Sequence, residues 1–164
     1  MTTVLKLAAF SQNGQGGNPA GVAFYDSMPS PEEMMAIAKE VGYSETAFLV
    51  KRNDGWRVRY FAPELEVPFC GHATIALGAA LGERFGEGTY KLILNNSTIS
   101  VNAKKSNLGI SAALQSPETW SKDAPQDYVE KILTAFNLTQ AQVDERFPIR
   151  IAGAGATHLI NLWC

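Results

Sequence analysis

Hydrophobic and polar positions alternate in short stretches through the first 115 residues, and this pattern predicts a series of strands. Turn residues separate them, for example at Asn18–Gly21 and at Asn53–Gly55. The short connections favour antiparallel pairing between neighbours in the chain. The predicted strands are Thr3–Phe10, Val22–Tyr25, Thr46–Val50, Trp56–Phe61, Lys91–Leu94, Thr98–Ala103 and Leu108–Ala112.

Two predicted helices interrupt these strands. The first runs from Pro31 to about Val41, because Ser30 can cap its start and Gly42 can end it. The second, Gly71 to about Phe85, is apolar on nearly all sides, so we expect it to be buried on all faces. The pattern therefore predicts an α+β fold in which a mostly antiparallel sheet rolls into a barrel around this central helix.

The composition changes at residues 116–125, which are rich in Ser, Pro and charge and are typical of a linker. We therefore expect one domain over residues 1–115 and the incomplete start of a second over residues 126–164. The apolar end from Ala156 to Cys164 is typical of an unfinished strand, so we expect that the chain stops early. The elements predicted for the second part are a helix over Asp127–Phe136, a helical turn over Leu138–Val143, and strands over Ile149–Ile151 and Thr157–Leu162.

Composition and charge narrow the function classes. The 164 residues carry a net charge of −2 without a run of five like charges, so nucleic acid is not an expected partner. No apolar stretch reaches the roughly 20 residues of a membrane span, and the N-terminus is unlike a signal peptide. Cys70 and Cys164 lie far apart and form no zinc-ligand pattern. We therefore expect a cytoplasmic protein without a metal or a disulfide framework.

The segment 69–74 is the first candidate for chemistry, because a loop meets the start of the apolar helix there. The first amides of a helix lie at the positive end of its dipole, so those of Gly71, His72 and Ala73 can hold a carboxylate or an enolate. The dipole also favours a neutral His72 and a lowered pKa for Cys70, and each could then act as acid or base. The residues alone still favour a structural role, with Cys70 filling the core.

Glu45 is the second candidate, at the start of a strand directly after a turn. If the barrel brings its carboxylate under the amides of Gly71 and His72, partial desolvation makes Glu45 a general base for a carbon-bound proton. An ordinary solvated glutamate is the alternative, and exposed glutamates are more common. Asn18 can orient a polar ligand, whereas His158 is expected in a core or an interface.

Four segments, in this order, resemble the PhzF family of phenazine biosynthesis, part of the diaminopimelate epimerase-like fold. They are GNPAGV at 17–22, GYSETAF at 42–48, FAPELEVPFCGHATIA at 61–76 and GATHLI at 155–160. The resemblance implies two similar domains, each a barrel-like sheet around a central helix, with the active site in the cleft between them. It also implies a cofactor-free isomerase that shifts a proton on a small carboxylate-bearing ring compound.

Under this resemblance, Glu45 and His72 are the catalytic residues. The substrate-binding residues are then Asn18, Ser44, Gly71 and Ala73. The segment Cys70–His72 also aligns with the Cys-Gly-Asn of diaminopimelate epimerase. A cysteine-based amino-acid epimerase or racemase that uses Cys70 is therefore the alternative function, and a non-catalytic remnant is a third.

This chain is shorter than the members of the PhzF family, which are nearly twice as long. Their additional half carries a second central helix and an acidic residue that faces the site. We therefore expect a truncated chain with little or no isomerase activity of its own. Charged residues make up 18% of the chain, against about 25% on average, which indicates a partly covered surface. Together with the apolar segment 159–163, this leads us to expect a homodimer.

Overall fold

The computed structural model describes residues 3–12, 14–107, 109–144 and 146–160. The chain divides into two compact units, Met1–Pro117 and Glu118–Cys164. Within the described ranges, no helix has both the length and the apolar character that a bilayer crossing needs. The elements of the first unit are β1 (Leu5–Ala9), β2 (Asn18–Tyr25), α1 (Pro31–Val41), β3 (Thr46–Arg52), β4 (Gly55–Phe61), β5 (Glu66–Val67), α2 (Gly71–Phe85), β6 (Gly88–Ile93), β7 (Thr98–Ser106) and β8 (Gly109–Gln115).

The strands of the first unit form one mixed sheet in the order β1-β2-β3-β4-β6-β7-β8, and β5 pairs with the end of β4. The pairs β2·β3 and β4·β6 are parallel, and the other neighbours are antiparallel. Helix α2 contacts strands from both ends of this order, namely β1, β2 and β3 as well as β6, β7 and β8. The sheet is therefore curled around α2, which confirms the predicted α+β fold with a central helix.

Helix α1 follows the predicted caps. The Glu33 N–H donates to Ser30 Oγ at 3.2 Å, and the Ser30 N–H donates to Glu33 Oε2 at 2.9 Å. Gly42 ends the helix with φ of 73°, a left-handed conformation that glycine adopts without strain. The buried α1 residues Met34 and Ala38 form a second small core with Ala23, Phe48 and Phe61.

Helix α2 has the predicted bounds, but it is not buried on all faces. Leu77 and Leu81 are fully buried in the main core, whereas the last three residues, Glu83 to Phe85, are exposed. The last turn carries two charged side chains, which stay in solvent because burying a charge without a partner is costly. The Arg84 guanidinium covers the Phe24 ring, 5.0 Å from its centroid.

The segment Asn18–Gly21, predicted as a turn, is instead the first half of β2. It pairs with β1, with Asn18 opposite Ala9 and Gly21 opposite Lys6. Pairing between β2 and β3 begins only at Gly21. Pro19 has no N–H to donate, and it is tolerated because β2 has no β3 partner at this position. Proline and glycine were therefore misleading as turn signals here.

The second unit contains a small antiparallel sheet in the order β11-β10-β9. Its buried core consists of Val129, Leu133, Val143 and Ile149. Strand β9 lies inside the segment predicted as a linker. Two parts of the predicted strands lie outside the described residues. They are residues 161–162 of the last predicted strand and Leu108, the first residue of the strand predicted over Leu108–Ala112. The elements are β9 (Trp120–Asp123), α3 (Gln126–Ala135), a 3₁₀ turn over Gln140–Gln142, β10 (Arg150–Gly153) and β11 (Thr157–Ile160).

Candidate active site

The structure brings Ser44, Glu45 and His72 together where β3 and α2 begin. His72 Nε2 lies 3.4 Å from Glu45 Oε2 and 3.4 Å from Ser44 Oγ. The side chains of His72 and Glu45 are only 12% and 20% exposed. A carboxylate and an imidazole, 27 residues apart in sequence, therefore share one partly desolvated position.

The backbone of β2 fixes the position of Glu45. The Gly21 N–H donates to the Glu45 carbonyl oxygen at 3.1 Å, directly before the β2·β3 ladder begins. Thr46 is fully buried against Gly21, and a Cβ at Gly21 would lie 2.5 Å from Thr46 Oγ1. Glycine at this position allows the two strands to approach, which fixes Glu45 directly before the first residue of β3.

A buried hydroxyl pair fixes the start of α2. Thr74 Oγ1 donates to the Cys70 carbonyl oxygen at 2.6 Å, and the Tyr60 hydroxyl lies 2.7 Å from Thr74 Oγ1. Since the Thr74 proton is used, Tyr60 is the donor to Thr74. Burial raises the pKa of Tyr60, which therefore keeps the donating proton. These two hydrogen bonds link β4 to the first turn of the helix that carries His72.

Cys70 contacts the other ring nitrogen of the imidazole, with its Sγ 3.3 Å from His72 Nδ1. The pKa of the Cys70 thiol is raised to about 12, mainly by burial and also by the nearby Glu45 carboxylate, against the lowering effect of the Ala73 and His72 amides. The prediction of a lowered pKa for Cys70 is therefore wrong, because desolvation outweighs the helix terminus. The thiol stays neutral at ordinary pH.

The other residues proposed from the sequence are placed differently. Gly71 is half-buried, and a Cβ added to it would meet no atom within 4 Å, so space is open beside the helix start. Ala73 is fully buried. Asn18 is exposed at the start of β2 and takes no part in the contacts around His72. His158 is in β11 of the second unit and is exposed there, outside its core.

Sequence reasoning missed Tyr60 and Thr74. A threonine in the first turn of a helix, four residues after Cys70, is the local signal for Thr74, since its hydroxyl can bond a carbonyl one turn earlier. Tyr60 gives no such signal, because its partner is 14 residues away on another element. Its contact depends on the register between β4 and α2.

The fold is that of the diaminopimelate epimerase-like proteins. A predicted epimerase of Pseudomonas aeruginosa, PA4716, matches the structure with a TM-score of 0.86, over 99% of this chain and 60% of that one. The sequence identity is 22%, so this likeness concerns the fold alone.

The chain belongs to the PhzC-PhzF family of phenazine biosynthesis-like proteins, whose family model matches residues 7–162. This finding confirms the resemblance drawn from the four segments. A PhzF-family phenazine biosynthesis protein of Bacillus anthracis has 27% sequence identity and a TM-score of 0.72, over 96% of this chain and 54% of that one. The uncharacterized isomerase YddE of Salmonella typhimurium is 32% identical over 164 residues, which cover 97% of this chain and 55% of YddE. The chain thus spans about half the length of the curated relatives it matches.

Proposed function

We propose that this chain carries the acid/base residues of a cofactor-free isomerase that moves a proton on a small carboxylate-bearing metabolite. The observation that carries the proposal is the 3.4 Å contact between Glu45 Oε2 and His72 Nε2 in a partly desolvated position. The isomerase name of the YddE relative supports the reaction class.

Glu45 is the general base in this proposal. Its carboxylate takes a proton from carbon, the electron pair moves into the conjugated system of the substrate, and Glu45 returns the proton to a different carbon. Atoms and electrons therefore balance without a cofactor. The Glu45 side chain is 20% exposed, so its carboxylate is largely shielded from water and can still reach a bound substrate.

His72 is the partner that meets the developing negative charge. The neutral thiol of Cys70 faces Nδ1, so an S–H donated to this nitrogen leaves the ring proton on Nε2, beside Glu45 and Ser44. From Nε2 the proton can be donated to the enolate-like oxygen of the substrate. We place the substrate carboxylate near Gly71, because the space beside that residue is open. Ala73 and Asn18 stay predicted substrate contacts.

The neutral thiol weighs against the cysteine-based alternative. A racemase of that kind needs a thiolate as its base, whereas burial keeps the pKa of Cys70 at about 12. The expectation that this chain has little or no isomerase activity stays a prediction, as does the substrate.

Proton exchange at carbon tests this function. The chain is incubated in deuterated water with cyclohex-2-ene carboxylate and related cyclic carboxylates, and deuterium uptake at carbon is followed by NMR. We expect slow uptake that disappears in Glu45→Gln. Glu40→Gln, at an exposed glutamate on α1, is the matched control and should exchange like the unchanged chain. Equal uptake in Glu45→Gln and Glu40→Gln would contradict the assignment of the base.

A further inference from the structure

We propose that Glu45, Cys70 and His72 form a binding site for a thiophilic divalent cation such as Zn²⁺. Each of the three residues offers one ligand atom, and these atoms all lie within 4.8 Å of one another. A thiolate sulfur, an imidazole nitrogen and a carboxylate oxygen are the donor set that Zn²⁺ prefers in proteins. Three protein ligands leave a fourth tetrahedral position for water.

Each of the two short contacts of His72 has the length that a zinc site requires. Zinc bonds of roughly 2.0 to 2.3 Å place tetrahedral ligand atoms about 3.3 to 3.8 Å from one another. Cys70 Sγ lies 3.3 Å from His72 Nδ1, and Glu45 Oε2 lies 3.4 Å from His72 Nε2. These two contacts use different ring nitrogens. With Nδ1 as the ligand nitrogen, the contact with Cys70 is kept, and the Glu45 carboxylate turns from Nε2 toward the ion, starting from ligand atoms that lie within 4.8 Å of one another.

The burial of the Glu45 oxygen also supports the site. Glu45 Oε2 is buried, and within the described part of the chain it has no hydrogen-bond partner, apart from the looser contact with His72. A buried carboxylate oxygen without a donor is costly, and a cation removes that cost. On binding, the Cys70 thiol loses its proton to solvent, so one thiolate and one carboxylate balance the dication.

The remaining surroundings fit a bound ion. Ser44 Oγ, 3.4 Å from His72 Nε2, can orient the imidazole from outside the ligand set. No sequence spacing indicates this site, since Glu45 comes from a different element than Cys70 and His72.

Occupation by metal would remove Glu45 and His72 from proton transfer. This consequence alone rests on the proposed function, whereas the site itself is tested by binding. A chain that binds metal but exchanges no proton would leave the metal site standing, and the reverse result would leave the proposed function standing.

The chain offers a matched control for each ligand. It has two cysteines and two histidines, so Cys164→Ser and His158→Gln pair with Cys70→Ser and His72→Gln. Glu40→Gln pairs with Glu45→Gln. Each variant is titrated with Co²⁺ alone, which reports a thiolate ligand by a charge-transfer band in the near ultraviolet, and with Zn²⁺ alone by calorimetry. Circular dichroism checks that each variant is folded.

We expect one Zn²⁺ per chain and a Co²⁺ thiolate band that Cys70→Ser abolishes. His72→Gln and Glu45→Gln should weaken affinity at least about tenfold, while the three controls bind like the unchanged chain. A missing band in the unchanged chain, or a band lost in Cys164→Ser and kept in Cys70→Ser, would overturn the proposal. If Cys70→Ser does not fold, His72→Gln and Glu45→Gln decide, and unaltered affinity in both would overturn it.

Discussion

At Cys70, two opposite effects act on one thiol. The amides at the start of α2 favour a thiolate, whereas burial of the side chain and the Glu45 carboxylate favour the neutral form. Burial is the largest of these effects, and it raises the pKa to about 12. A cysteine at a helix start is therefore reactive only when water reaches it.

We expect Cys70 to be alkylated slowly in the folded chain. At pH 8, iodoacetamide should modify Cys70 in the Cys164→Ser variant at least about a hundredfold more slowly than in the same variant unfolded in urea, because the thiolate fraction is so small. The rate should rise as the pH approaches 12. The raised pKa in the fold contributes stability below the unfolded value, about 8.5, and this contribution is lost as pH rises toward 12. Equal alkylation rates in both states would contradict the buried thiol.

Thr74 should contribute strongly to stability. Thr74→Val keeps the shape but leaves the buried Tyr60 hydroxyl and the Cys70 carbonyl without their side-chain partner. We expect a loss of about 1 to 3 kcal/mol in the free energy of unfolding, measured by urea denaturation. Thr98→Val, at an exposed threonine of β7, should stay within about 0.5 kcal/mol. A similar effect of both substitutions would count against the hydroxyl pair.

Among the elements, α2 depends on small residues where it meets β7 and β8. A Cβ on Gly78 would overlap Val101 Cγ2 and lie 3.0 Å from Ala112 Cβ. We expect Gly78→Ala to destabilise the chain by about 1 to 3 kcal/mol, although alanine favours a helix by about 1 kcal/mol. Gly71→Ala on the same helix meets open space, so it should be neutral or slightly stabilising. Thermal unfolding of both variants tests the difference, and an increase in stability for Gly78→Ala would contradict it.

The loop before α2 is held by a charged pair. Arg59 donates from Nε and Nη2 to the two carboxylate oxygens of Glu66 at 2.8 and 2.6 Å, and Asn95 donates to Oε1 at 2.6 Å. The hydrogen bonds from Arg59 are the main cause of a lowered pKa for Glu66. These bonds connect β4, β5 and the turn after β6.

We expect Glu66→Gln to lower the free energy of unfolding by about 1 to 2 kcal/mol at pH 7, because charged hydrogen bonds are lost. A carboxylate with a lowered folded pKa stabilises above its unfolded value of about 4.3. The difference from the unchanged chain should therefore shrink as the pH falls below that value. Glu64→Gln, at an exposed residue of the same loop, is the control. A difference that is unchanged at pH 3 would contradict the ion pair.

Local chemistry in the sequence predicted some elements and not others. Ser30, Pro31 and Gly42 bounded α1 correctly because caps act within a few residues. The segment Asn18–Gly21 was predicted as a turn because the sequence does not show which strands lie beside it. In the sheet, this part of β2 pairs with β1 and begins to pair with β3 only at Gly21. The family resemblance predicted that Glu45 and His72 share a site. Their spacing in the sequence does not show that the start of β3 lies beside the start of α2. The raised pKa of Cys70 depends on burial, which a single sequence does not give.

The whole molecule consists of two units, Met1–Pro117 and Glu118–Cys164, and each has its own buried core. The contacts among Ser44, Glu45, Cys70 and His72 lie within the first unit. The expected homodimer stays a prediction. Part of the segment behind it, Asn161 to Trp163, lies outside the described residues.

We expect limited proteolysis to separate the two units. Glu118 is exposed and belongs to no helix or strand, so a glutamate-specific protease should cut there early. The fragment that ends at Glu118 should remain resistant and folded. Mass spectrometry of the first products checks the site, and initial cleavage at Glu83 within α2 would contradict this division.

The position of α2 in the chain has a consequence during synthesis. Its apolar faces are covered partly by β7 and β8, yet β8 ends 30 residues after Phe85. At about 5 to 20 residues per second, a ribosome needs roughly 2 to 6 s to supply those strands. The parallel pairing of β4 with β6 waits for a shorter time, because β6 ends at Ile93. A nascent chain in which α2 has left the ribosome before β7 and β8 therefore exposes the apolar face that these two strands later cover, and a chaperone could bind this face.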